Sequence, residues 1–245
     1  MRKVLFILFC LMLLSCRKEE YQRPHYSYTP AAALPAEPPL YLGSSSVCNG
    51  HLMGTLLSTG DSSIPARMTS SAFFSSKPLY FPVQGEYKPV AAVALNGLSL
   101  KFKDYCYQDT AQTVFQSPLN WNVAGLDSIP SFSFSNDHPF PDFHTFFSLP
   151  DTIHRNQALI VPLDKLNFSD QTMFEITDGA NYAGNYFTFG QSRITITIPF
   201  LQNLKQTQTG EMWMICTNNN VHIISGLPFC FSTNHLYRKK VVITD

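Results

Sequence analysis

Polar and apolar residues alternate with a period of two in short bursts from about Val47 onward. Ser131-Phe132-Ser133-Phe134-Ser135 alternates strictly, which places both phenylalanines on one face of a strand. Arg193 to Ile198 does the same, with three isoleucines directed inward and Thr195 and Thr197 outward. Val90 to Leu95 and Leu98 to Phe102 flank Asn96-Gly97, the pair that supplies two positive-φ residues to a type I′ turn, so a hairpin is predicted there. Further apolar runs at His51 to Ser58, Met68 to Phe74, Tyr105 to Tyr107, Thr113 to Phe115 and Trp121 to Val123 extend the pattern through the first half. Ala158 to Leu163, Thr172 to Thr177, Met212 to Cys216, His222 to Ile224 and Lys240 to Ile243 extend it through the second. Asp178-Gly179 and Asn218-Asn219-Asn220 read as turns, and Pro199 to Gln206 as one or two turns of helix. Strands at roughly ten-residue spacing with almost no helix predict an all-β protein. The expectation is two immunoglobulin-like β-sandwich domains, 47–125 and 126–245, or else one larger β-sandwich.

The first 46 residues follow another pattern. Arg2 and Lys3 precede Val4 to Leu14, an eleven-residue run without a polar side chain, and Ser15-Cys16 closes it. Eleven helical residues rise about 16 Å, half the hydrocarbon thickness, so the run is too short to span a bilayer and is laid out as a secretory signal peptide. From Arg17 to about Ser46 come five prolines, three consecutive alanines and three consecutive serines, a composition that favours an extended tether over packing.

Leu13-Leu14-Ser15-Cys16 resembles the lipobox of bacterial lipoproteins, departing from it at Leu14, where a smaller residue is usual. The resemblance covers only the first twenty or so residues. It implies that residues 1–15 are removed and that Cys16 becomes the lipidated first residue of the mature chain. Each acyl chain contributes about 0.8 kcal/mol per buried methylene, so two or three chains hold a domain on a membrane without a spanning helix. Lys18-Glu19-Glu20 is similar to the short signal that follows the lipidated cysteine in surface-exposed lipoproteins of Bacteroidetes-type bacteria. The resemblance thus implies a bacterial outer membrane location, lipid-anchored, facing the surface or the periplasm.

Charge narrows the partners. Without Arg2 and Lys3 the seventeen basic residues become fifteen against seventeen acidic ones, a balance that offers no basic footprint for nucleic acid. With Cys10 in the signal and Cys16 carrying lipid, Cys48, Cys106, Cys216 and Cys230 remain as candidate disulfide cysteines. If the two halves are separate domains, Cys48–Cys106 and Cys216–Cys230 is the economical pairing. Free, buried thiols are the other expectation. No CxxC or CxH spacing accompanies them, so no zinc site is expected.

Two stretches hold candidate chemistry. Residues 136–154 collect Asp137, His138, Asp142, His144, Ser148, Asp151 and His154, the residue types a metal or general-base site recruits. The histidines are six and ten residues apart and separated by prolines, which matches no ligand spacing and suits loop chemistry equally. Residues 178–191 place Tyr182, Tyr186 and Phe187 among Gly and Asn residues, where rings could stack on a sugar while Asn181 and Asn185 hydrogen-bond to it. The alternative is a β-hairpin with Phe187 and Phe189 packed inward. No nucleophile elbow, phosphate loop, HExxH pair or dinucleotide fingerprint occurs, and no cofactor is expected. The expected role is a membrane-anchored, non-catalytic binding or structural module. A glycan-binding accessory lipoprotein and a hydrolase built on 136–154 are the alternatives.

Overall fold

The computed structural model describes residues 47–245 apart from 60–66, 80–86, 104, 110–112, 115–116, 144, 164–165, 168 and 189–191. All described residues belong to one compact unit, Glu37–Asp245. The expected signal peptide, tether and Cys16 lie outside the described residues.

The fold is all-β and centres on one long hairpin. Strands β17 (Thr207–Ile224) and β18 (Leu227–Thr244) run antiparallel around a turn at Ser225 and Gly226, whose φ values of 52° and 82° are those of a type I′ turn. Beyond β17 lie β14 (Gln171–Thr177) and then β15 (Tyr182–Thr188). On the other side β1 (Cys48–Ser58) pairs parallel with β18, followed by β2 (Arg67–Leu79), β6 (Cys106–Gln108) and β5 (Lys101–Lys103). The short β7 (Thr113–Val114) pairs with β2, and β11 (Thr152–His154) pairs with the far end of β18.

A second layer covers one face of this sheet. Over the β1–β2 side lies a four-stranded sheet made of β3 (Ala92–Leu95), β4 (Leu98–Ser99), β8 (Leu119–Ala124) and β9 (Phe132–Asn136). Between the layers sit Leu52, Phe74, Val93, Leu119, Trp121, Phe229 and Phe231, with Phe132 and Phe134 of β9 packed against them. Over the β14–β17 side lie two small pairs and a short helix. These are β10 (Asp142–Phe143) with β13 (Leu166–Asn167), β12 (Leu159–Pro162) with β16 (Arg193–Ile196), and α1 (Ile198–Leu201). They enclose a second cluster around Phe143, Phe146, Val161, Phe174, Ile194, Met214 and Val241. The main sheet therefore runs unbroken through strands from both sides of residue 126, and β9 joins the apolar cluster of the N-terminal strands.

Several local expectations meet their physical reasons here. Asn96 and Gly97 adopt φ of 49° and 80° between β3 and β4, as the Asn-Gly pair predicts. Ile194 and Ile196 are buried, but Ile198 is exposed at the start of α1. Pro199 follows it, and a residue without an N–H ends the ladder and starts a helical turn. Asn218, Asn219 and Asn220 are not a turn. They lie within β17, where Asn218 Nδ2 donates to Pro139 O (3.0 Å) and Ser232 Oγ donates to Asn219 Oδ1 (2.6 Å). Partners supplied by distant strands override the turn preference of a polar triplet.

The expected pairings Cys48–Cys106 and Cys216–Cys230 are not formed: all four cysteines are buried thiols outside any disulfide. β2 lies between β1 and β6, putting Cys48 and Cys106 two strand spacings apart, about 9 Å, beyond disulfide reach. Cys216 faces the cluster around Phe174, opposite His235, whereas Cys230 opposes Val221 on the other face of the hairpin. Burial pushes the Cys216 thiol up to about 12.

The tight loop after β8 depends on one glycine. A Cβ on Gly125 would stand 2.2 Å from Ile129 O and 2.4 Å from Pro130 C, backbone atoms that cannot swing aside. Gly125→Ala is expected to cost about 1–3 kcal/mol, read as a lower urea midpoint at unchanged slope. An unchanged midpoint would show that the loop opens freely.

Candidate functional site

Residues 137–143 run along β18 as a strap over one face of the main sheet, and most of their chemical groups are engaged in holding it there. Pro139 and Pro141 have no N–H, so the strap cannot form a ladder of its own, and the sheet donates to its carbonyls instead. Asn218 Nδ2 and Thr233 Oγ1 each reach Pro139 O at 3.0 Å, and His235 Nδ1 lies 2.8 Å from Pro141 O. Tyr237 accepts a hydrogen bond from Phe143 N at 2.7 Å and donates to Asp142 Oδ1 at 2.9 Å. Burial pushes the Tyr237 phenol up, with the Asp142 carboxylate adding to it, so the hydroxyl stays neutral and able to donate.

The remaining members of the 136–154 group are dispersed. Asp137 and His138 are exposed. Ser148 Oγ donates to Thr145 O (2.7 Å), closing a short 3₁₀ turn. Asp151 pairs with Lys239 Nζ (2.6 Å), and that buried lysine also donates to Leu149 O (2.6 Å). His154 Nδ1 lies 2.9 Å from Thr244 Oγ1. His138 adjoins the residue held at Thr233, so β18 rises roughly 35 Å between the levels of His138 and His154. The structure does not bring those two together, and His144 lies outside the described residues. Among the described residues no group of three His, Cys, Asp or Glu side chains could hold a metal ion.

One constellation escaped the sequence reading. Ser58 Oγ and His235 Nε2 are 2.8 Å apart although 177 residues separate them in the chain. A carbonyl only accepts, so His235 Nδ1 carries the hydrogen facing Pro141 O, and Nε2 accepts from the Ser58 hydroxyl. The imidazole is buried and lies nearly flat on Tyr237, with ring centroids 3.9 Å apart. Hydroxyl, imidazole and orienting acceptor satisfy the hydrogen-bond part of a nucleophile–base pair. No local motif marks Ser58 or His235; only the parallel register of β1 on β18, which places Ser58 opposite Tyr237, joins them.

Within the 178–191 segment, residues 178–188 form the turn and second strand of a hairpin of β14 with β15, an edge strand of the main sheet, and 189–191 lie outside the described residues. Its turn is organised by Asp178, whose Oδ1 accepts from Ala180 N (2.7 Å) and Asn181 N (2.8 Å). Asp178 Oδ2 accepts from Asn181 Nδ2 (2.8 Å) and Lys205 N (2.5 Å). Burial would raise this carboxyl, but the four donors outweigh it and hold it below the usual carboxylate range. Asn181 thus serves the turn, and Tyr182 is 59% exposed. The side chains of Asn185, Tyr186 and Phe187 lie outside the described residues. The register opposes Tyr182 to Thr177 and Tyr186 to Met173, so the two tyrosine backbones are roughly 13 Å apart along the edge.

Tyr237→Phe tests the strap. It leaves the buried Phe143 N–H without its acceptor and Asp142 without its donor, a loss expected at about 1–3 kcal/mol in urea unfolding. A change below about 0.5 kcal/mol would mean that the strap is held by packing alone.

No protein-family model matches this chain, and neither a curated protein nor a solved structure shows significant similarity to it. The functional reading therefore rests on the residues themselves.

Proposed function

We propose that the protein is a lipoprotein of the bacterial outer membrane, anchored through Cys16, whose β body acts as a non-catalytic binding or structural module. The observation that carries this is Leu13-Leu14-Ser15-Cys16 at the end of an eleven-residue apolar run, followed at once by charged and proline-rich sequence. The folded body supports it in two ways. The described residues begin directly ahead of β1, where the proline-rich stretch ends, and within 136–154 Asp142 and Asp151 serve the strap and the sheet. The finer reading of immunoglobulin-like sandwiches draws support from the two separate apolar clusters beneath one two-layered sheet. Lys18-Glu19-Glu20 favours exposure at the cell surface.

A glycan-binding role in nutrient capture is the second reading, favoured by the exposed Tyr182 on the edge strand. Aromatic rings spaced along such an edge would stack on successive units of an extended saccharide.

Cys16→Ala is expected to abolish labelling by a palmitate analogue and to release the protein from the membrane fraction. Unchanged labelling would refute the anchor. The non-catalytic reading has its own test, because Ser58 lies beside an imidazole. A fluorophosphonate probe is expected to leave the protein unmodified, and covalent labelling that disappears in Ser58→Ala would identify a serine hydrolase instead.

A further inference from the structure

The distal half of the β17–β18 hairpin ends in an apolar tip. No Asp, Glu, Lys or Arg stands between Glu211 and Arg238. The outer neighbour β14 pairs with β17 only as far as Thr217, so among the described residues no strand lies beside the outer edge of β17 from Asn220 to Ile224. Ile223 is 67% exposed, more than any other large apolar side chain among the described residues, and Val221, two residues back on the same face, is exposed as well. Turn-flanking positions in water ordinarily carry polar residues, and an exposed apolar patch marks a contact surface.

Other elements bring the same chemistry to this end. Phe132 packs on Phe229 and Phe134 on Phe231, with ring centroids 4.8 and 3.8 Å apart, so β9 runs alongside β18 with its start toward the tip. The loop ahead of β9 therefore lies at this end, and Leu126 in it is exposed. β1 runs parallel to β18 with Gly50 opposite Phe229, which puts the exposed Val47, just ahead of β1, at the level of the hairpin turn. Lys88 N donates to Phe74 O, and Phe74 opposes Gly50, so the exposed Lys88 stands at the same level. The exposed Lys77 lies three residues further along β2, and Asp127 is the acid of the Leu126 loop. Lysines beside exposed apolar side chains suit an anionic lipid surface.

We propose that this end of the body rests on the membrane, with Val221, Ile223 and Leu126 in the interfacial layer of the bilayer. The proposal deepens the anchored reading and rests on it for the choice of a lipid surface as occupant. On that reading the chain coming from the membrane enters the body at Val47, which is the apolar end. Residues 17–46 can extend roughly 100 Å, so an anchor alone imposes no contact, and the apolar tip is what brings the body down. The open backbone edge of β17 limits the depth. Unpaired N–H and C=O groups are too costly in hydrocarbon, so the tip stops in the interface, about 5–10 Å deep. Ile223 lies two residues, about 7 Å, from the turn, within that range.

The test uses the full chain carrying Cys16→Ala, so that lipidation cannot contribute. It is mixed with vesicles of phosphatidylethanolamine and phosphatidylglycerol, with and without brominated acyl chains. Tryptophan replaces one exposed side chain at a time, and the buried Trp121 and Trp213 give a constant background. Ile223→Trp and Leu126→Trp are expected to shift their emission to the blue on adding vesicles and to lose intensity to the brominated lipid. Ile160→Trp, on the strand pair that covers the other apolar cluster, is expected to do neither. No change at 223 and 126, or an equal change at 160, overturns the proposal. So does a blue shift that appears without vesicles as protein concentration rises, which would make the tip a contact between copies of the chain. Two sites on separate elements keep the result decisive if one variant does not fold. Failure of the anchored reading is read separately, as palmitate labelling unchanged by Cys16→Ala.

Discussion

The parallel pairing of β1 with β18 is the joint on which the rest of the structure depends. Antiparallel neighbours can be joined by a tight turn, as β17 and β18 are, but parallel neighbours need a crossover. Here everything between Ser58 and Leu227 is that crossover, and it supplies most of both apolar clusters. Gly50 to Ser58 lie against Phe229 to Tyr237 in unbroken register, with Phe229 and Phe231 in one cluster and Tyr237 in the other. Without β1 in place, the distal half of the long hairpin would have no partner on its outer side and the N-terminal cluster would lose Leu52. Contacts of such sequence separation close late and slowly, since the loop entropy is spent before they form.

Between the two clusters the main sheet carries polar side chains that a sandwich core would ordinarily exclude. Asn218, Thr233, His235 and Tyr237 are buried there, each with a partner on the strap. The arrangement follows from the prolines. Pro139 and Pro141 cannot donate, so the strap meets the sheet there through its carbonyls, and the sheet face beneath them offers the donors. Unpaired, those same groups would each cost a buried hydrogen bond. Pro139, Pro141 and Asp142 thus serve to seat the strap along β18. The catalytic look of Ser58 and His235 arises at the edge of the same seam.

What was legible in the sequence was local. The Asn96-Gly97 turn, the alternation of Phe132 and Phe134 and the Asp178-Gly179 turn depend on neighbours a few residues away, and each is found where the pattern puts it. What failed depended on distant partners. Three asparagines read as a turn because nothing nearby announces Pro139 or Ser232. The cysteine pairings failed for the same reason, since proximity in sequence stood in for proximity across strands. The meeting of Ser58 with His235 is a consequence of one parallel register that no local signal encodes. The candidate residues in 136–154 were legible as a cluster, but not that His138 and His154 lie at different levels of β18, because that spacing is set by distant strand pairing.

On the anchored reading proposed above, the tether enters the body at Val47, directly ahead of β1. That strand is not an edge: β18 flanks it on one side and β2 on the other. A pull transmitted from the membrane would therefore act along β1 and load two ladders in shear, all their hydrogen bonds at once. An anchor joined to an edge such as β15 would instead peel one rung at a time. The position of the first described strand inside the sheet thus suits the N-terminus of an anchored module.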